Sequence, residues 1–139
     1  ADKTISNASW TLVDLDAEYF DAVSAGLTAA HDLATNNSRI YARITGRYLA
    51  IAQATFTANS TGARVVALIP NAGGTFTLAN VVTLDSRAAL STDTALYCAT
   101  PLSLTAGDYV EMFVYQNSTG NLALKAFKYS PVLSLIYLG

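Results

Sequence analysis

From Arg39 onward the chain is a succession of short runs rich in β-branched and aromatic residues, broken about every 8–12 residues by Gly, Asn, Ser or Pro. That punctuation leaves no room for a long amphipathic helix, and no run keeps the period of about 3.6 residues that would make one. Strands are predicted over residues 39–44, 48–58, 64–70, 75–84, 95–104, 109–116, 122–129 and 132–138, with an earlier one at 17–23. These suffice for two antiparallel sheets, so the pattern reads as a sandwich or barrel.

The tetrapeptide Asn-Ser-Thr-Gly occurs at residues 59–62 and again at 117–120, each time between two strand-like runs. Asn and Ser bond their own backbone and a closing Gly takes positive φ, so each copy is predicted to be a hairpin loop. Asn-Ala-Gly-Gly at residues 71–74 predicts a third hairpin, and Ala106-Gly107-Asp108 a tight turn into the following strand. The runs flanking the two Asn-Ser-Thr-Gly copies do not otherwise match, which weighs against a duplicated domain.

The run 48–56 is the informative one. One face presents Tyr48, Ala50, Ala52, Ala54 and Phe56, and the other presents Leu49, Ile51, Gln53 and Thr55. A strand with one wet face alternates apolar with polar residues. Here both faces begin apolar, so the second face is expected to meet something other than water. Composition points the same way: charged residues are 13 % of the 139, against ~25 % in an ordinary soluble domain. With so few charges, apolar surface is left for another chain to cover, and an oligomer is expected.

Other classes fit poorly. Arg39, Arg43, Arg47, Arg64 and Arg87 interrupt the apolar segments, so no run approaches the ~20 residues that cross a bilayer as a helix, and membrane insertion is not expected. The opening ADKTISNASW lacks the basic start and apolar middle of a signal peptide. A net charge of −2 with scattered cations does not suit a nucleic-acid partner. Cys98 is alone, so no intrachain disulfide forms.

The runs GRYLAIAQATF (46–56), AGDYVEMFVY (106–115) and SPVLSLIYLG (130–139) together resemble the jelly-roll fold of the complement-component-1q and tumour-necrosis-factor superfamily. The chain is most similar to small phage and bacterial members, in which a segment like HDLATNNSRIYARITGRYL (31–49) precedes the first core strand. The resemblance runs from about Phe20 to Gly139. It implies an all-β, antiparallel jelly-roll β-sandwich of ten strands that forms a homotrimer, the inner sheet of each subunit lying against the three-fold axis. On that likeness Gly46, Tyr48 and Phe56 occupy turn and core positions, while Leu49, Ile51 and Gln53 face neighbouring subunits. Tyr97, eleven positions before Asp108, falls where members carry an aromatic at the axis, and Val132 and Ile136 have the inward parity of the last strand. Ser134 stands where many members have Gly, and no collagen-like or coiled-coil stalk is present.

No catalytic constellation emerges, and the chain is not expected to be an enzyme. His31, the one histidine, has Asp32 beside it to orient it as a base, but its Asn-, Thr- and Asp-rich surroundings predict a solvated or capping loop residue. One His and one distant Cys do not make a zinc site. Asp14, Asp16, Asp85, Asp93 and Asp108 would offer calcium its oxygens only if their turns converged, and turn capping accounts for each separately; no cofactor is expected. Cys98 is predicted to be buried as a small apolar residue. Sequons at Asn7, Asn36, Asn59 and Asn117 fit either glycan acceptors or turn chemistry.

The resemblance and the small size imply a non-enzymatic, trimeric phage virion surface protein, with capsid decoration or cementing favoured and the major capsid or another virion protein as partner. The alternatives are the receptor-binding tip of a tail fibre, which would recognise a host-surface glycan or protein, and a secreted, extracellular ligand-type trimer. Residues 1–17 lie outside the resemblance and carry Ile5, Trp10, Leu12, Val13 and Leu15 among polar residues. Such anchors do not suit a disordered tail. They predict an N-terminal attachment arm through Ile5, Trp10 and Leu12, followed by a single jelly-roll domain at 18–139; the alternative is that Trp10 caps the domain's own core.

Overall fold

The computed structural model describes residues 1–21 and 27–139. Within them, ten strands build two five-stranded antiparallel sheets. The inner sheet contains β1 (Lys3–Ile5), β4 (Gly46–Phe56), β7 (Thr94–Leu104), β9 (Leu122–Leu124) and β10 (Val132–Tyr137); β4 lies at its centre, with β7 on one side and β10 then β9 on the other. The outer sheet contains β2 (Thr11–Leu12), β3 (Arg39–Tyr41), β5 (Ala63–Pro70), β6 (Thr83–Ala88) and β8 (Tyr109–Gln116). Its order is β2-β8-β5-β6, with β3 also on β8. The chain passes repeatedly from one sheet to the other, as a jelly roll requires.

The core is what the period-2 reading of β4 predicts on its inward side. Ala50, Ala52 and Ala54 are buried there, and these small side chains let Val66, Leu68, Met112 and Val114 of the outer sheet close over them. Phe56, Leu124 and Ile5 fill the far end of the same core.

Residues 1–17 are not an arm. β1 pairs with β9 and β2 with β8, so the segment contributes to both sheets. Ile5 and Val13 are fully buried in the shared core, because a strand laid on a sheet edge turns alternate side chains inward. The domain therefore begins near Lys3, not at residue 18.

Three other expectations change. Both Asn-Ser-Thr-Gly copies are sheet-to-sheet crossovers instead of hairpins: residues 59–62 carry the chain from β4 to β5, and 117–120 from β8 to β9. The predicted strand at 75–84 is a loop with a 3-10 turn at Leu78–Asn80, and the pairing strand begins at Thr83. The hairpin predicted at 71–74 does join β5 to β6, through that longer loop. The early strand at 17–23 is absent over residues 17–21, and its remainder lies outside the described residues.

The predicted strand at 122–129 stops at Leu124. Leu124 sits opposite Phe56 of β4 and Val132 opposite Gln53, so the chain advances eight residues while β4 advances three. The surplus forms a turn in which Phe127 and Ser130 exchange backbone hydrogen bonds. Both flanks are pinned on Thr55: its carbonyl accepts the Lys125 N–H at 2.8 Å and its own N–H donates to Ser130 Oγ at 2.7 Å.

Candidate functional site

The outward face of β4 lies between two strands whose outward residues are equally free of charge. Strand register sets three rows across β7, β4 and β10: Tyr97–Gln53–Val132, Ala99–Ile51–Ser134 and Pro101–Leu49–Ile136. All six residues expected at a trimer interface, Leu49, Ile51, Gln53, Tyr97, Val132 and Ile136, therefore fall in these rows, with Ser134 in the middle one. None of the nine residues is charged. Tyr97 is 50 % exposed and Ile136 44 %, which is a large apolar area to leave facing water in one patch. Arg47 marks the end of the face.

The residues expected to attach an arm do not form an outward-facing set. Ile5 is in the core, and Leu12 is paired with Phe113 on β8. Trp10 stacks on Phe76 with ring centroids 3.8 Å apart and 7° between planes, and its second aromatic neighbour is Tyr115 at 5.2 Å. The loop 71–82 thus places Phe76 over Phe113 of the outer sheet, and Trp10 covers its own domain. Beneath them, the buried Glu111 accepts from Ser38 Oγ, Arg39 Nε and the Gly74 N–H, each within 3.1 Å, so this carboxylate has a full set of donors.

His31 is also not the solvated loop residue expected. It is 7 % exposed, with Nδ1 3.0 Å from Glu18 Oε1 and Nε2 2.9 Å from the Asn37 carbonyl. It stands at the wall of a cleft of about 400 Å3 beside β10, lined also by Phe20, Tyr41, Tyr48 and Leu135. No serine, threonine or cysteine donates to His31 among the described residues, so a nucleophile is not paired with it.

The acidic residues are held separately. Asp14 pairs with Lys3, Asp85 with Arg87, and Asp93 and Asp108 accept the backbone N–H groups of Ala58 and Thr105. Among the described residues no three His, Cys, Asp or Glu side chains gather as metal ligands would. Cys98 faces the core, and burial, with a smaller contribution from Asp85, pushes its thiol up to about 11. Three of the four sequon asparagines bond backbone N–H groups: Asn7 that of Thr119, Asn59 that of Thr61 and Asn117 that of Ala63.

The residue that sequence reasoning passed over is Arg64. Its side chain is fully buried at the crossover end of the sandwich, where it donates to the carbonyls of Asn59, Thr61 and Ala63 and lies over the Phe56 ring. A buried cation whose two terminal nitrogens bond a turn's carbonyls fixes the shape of that turn, while its Nε is left without a partner.

No protein-family model matches the chain, and no curated protein is similar to it in sequence. In structure it is similar to murine APRIL at pH 8.5, with a TM-score of 0.67 and 18 % identity over 98 % of this chain and 92 % of that one. Murine APRIL at pH 5.0 gives 0.65 and 15 % over 99 % and 100 %. Eiger TNF from S. frugiperda gives 0.57 and 16 % over 76 % of this chain and 67 % of that one. At such identities the likeness is one of fold: the chain is a TNF-like jelly roll.

Proposed function

We propose that this chain is a non-enzymatic binding protein that works outside cells as a homotrimer, assembled through the uncharged face of β7, β4 and β10. The observation that carries the proposal is that face itself. Nine outward residues in three registered rows contain no charge, although strand positions reaching water elsewhere carry Lys3, Arg47, Asp85 and Arg87. A closed trimer buries such a face in every subunit. Likeness in fold to TNF and APRIL supports the same assembly and an extracellular ligand-type role.

The virion-surface role is the second reading, supported by the resemblance to small phage members. Its capsid-decoration form drew on a free attachment arm, and that segment is built into both sheets. A host-binding role at a fibre tip does not need the arm. Either role would bring a partner to the loops at the ends of the sandwich.

Native mass measurement tests the assembly directly. Three chains per particle are expected at micromolar concentration, and a stable monomer there would overturn the proposal. Exposing purified protein to intact virions and to host-cell surfaces then separates the roles: saturable binding to virions places it on the particle, and binding to cells alone makes it a ligand or tip.

A further inference from the structure

Each ring nitrogen of His31 faces an oxygen that cannot donate in its ordinary state. The Asn37 carbonyl, 2.9 Å from Nε2, only accepts, so Nε2 must carry a hydrogen. In a neutral imidazole Nδ1 then presents a lone pair, and it faces the Glu18 carboxylate at 3.0 Å, which also only accepts. Both contacts become hydrogen bonds only when the pair holds one further proton, on Nδ1 or on Glu18. The backbone N–H of His31 donates to Asp21 Oδ2 at 2.9 Å, so one residue anchors two acidic side chains of the cleft wall.

The other charged groups nearby are already committed. Arg43 donates to the Ala29 carbonyl and lies over the Tyr41 ring; Arg39 is paired with Glu111; Asp32 accepts the N–H groups of Ala34 and Thr35. Tyr41 donates its backbone N–H to Ala30. No other side chain contacts the ring nitrogens among the described residues.

We propose that His31 and Glu18 form a proton-dependent clamp, closed by the shared proton, that holds the Glu18–Asp21 wall of the cleft against the His31 loop. The clamped state binds the extra proton, so it is stabilised as pH falls and lost as pH rises. Opening frees a wall on which Tyr19 and Phe20 are already 65 % and 85 % exposed. Neither clamp residue lies in the three rows, but the cleft reaches Val132, Ser134 and Ile136 of β10 and so borders the proposed assembly face.

Amide hydrogen exchange on the full chain, corrected for the intrinsic effect of pH, tests this at about pH 5.5 and about pH 8. The His31 amide should be protected roughly tenfold more at the lower pH, with the β4 amides unchanged. Glu18→Gln is the decisive variant. Its side-chain N–H can donate to the lone pair of neutral Nδ1, so it should keep protection at both pH values. Equal protection of wild type at both pH values, or an undiminished pH dependence in Glu18→Gln, would overturn the clamp.

Discussion

The side-chain oxygen of Asn117 accepts the backbone N–H of Ala63 at 2.6 Å, and this bond joins the two Asn-Ser-Thr-Gly crossovers into one corner of the sandwich. Gly62 lies at the closest approach. Its φ is +78°, and a Cβ placed on it would sit 2.3 Å from the Asn117 carbonyl oxygen. Gly62→Ala should therefore cost on the order of 2–3 kcal/mol, combining a left-handed backbone with a contact to main chain that cannot step aside. Urea denaturation at fixed protein concentration reads this as a lowered midpoint; an unchanged midpoint would show that the corner can open.

Charge placed in the uncharged rows should undo assembly. Ile51→Asp and Tyr97→Asp each put a carboxylate into a surface that association desolvates, at a cost on the order of 3 kcal/mol or more. Light scattering should then report single chains, while circular dichroism still reports β structure. Leu33→Asp serves as the control, since Leu33 is as exposed as Tyr97 but lies in a loop away from the rows. Trimers from both row variants would mean that the interface is elsewhere.

The first seventeen residues should matter to folding. Removing 1–17 deletes β1 and β2 and takes Ile5, Val13 and Leu15 out of the core, so the truncated chain should fail to fold cooperatively. The milder Trp10→Ala should cost about 2–3 kcal/mol by unstacking Phe76. A truncated chain that melts like the full one would restore the attachment arm.

The Cys98 thiol gives a signed pH dependence. Its pKa rises from 9.0 to about 11 in the folded protein because burial penalises the thiolate. The unfolded chain loses that proton first, so this contribution to stability is complete below pH 9.0 and fades as pH rises toward about 11. Compared with Cys98→Ala, the wild type should lose up to about 2–3 kcal/mol over that window. Parallel stability curves for the two proteins would show that the thiol is freer than its burial indicates. Alkylation of the native protein at neutral pH should also be slow, and fast once urea unfolds it.

How much of this was legible in the residues depended on distance along the chain. The two faces of β4 follow from alternation within one run, and Leu49, Ile51 and Gln53 could be read there directly. The rows that join them to Tyr97 and Val132 are set by register between strands far apart in sequence, and only the resemblance to a known fold supplied it. Asn-Ser-Thr-Gly turns look alike whether they close a hairpin or cross between sheets, because turn chemistry is local and sheet membership is not. β1 and β2 are three and two residues long, too short for any periodicity to show. His31 was misjudged because its burial comes from partners thirteen and six positions away, which a polar neighbourhood in sequence does not reveal.

The turn between β9 and β10 has a consequence for how such a protein can change. Because Thr55 grips the chain on both sides of it, the number of residues between Lys125 and Ser130 is uncoupled from the pairing of β10 with β4. Insertions or exchanges there need not shift β10 by a residue, a slip that would turn its outward side chains inward. Phe127 and Tyr129, stacked at 5.2 Å and both substantially exposed, occupy this decoupled site now. Lineages of this fold can thus vary what they display at that end while inheriting the geometry of the sheet intact, and an engineer can graft a foreign loop at the same place.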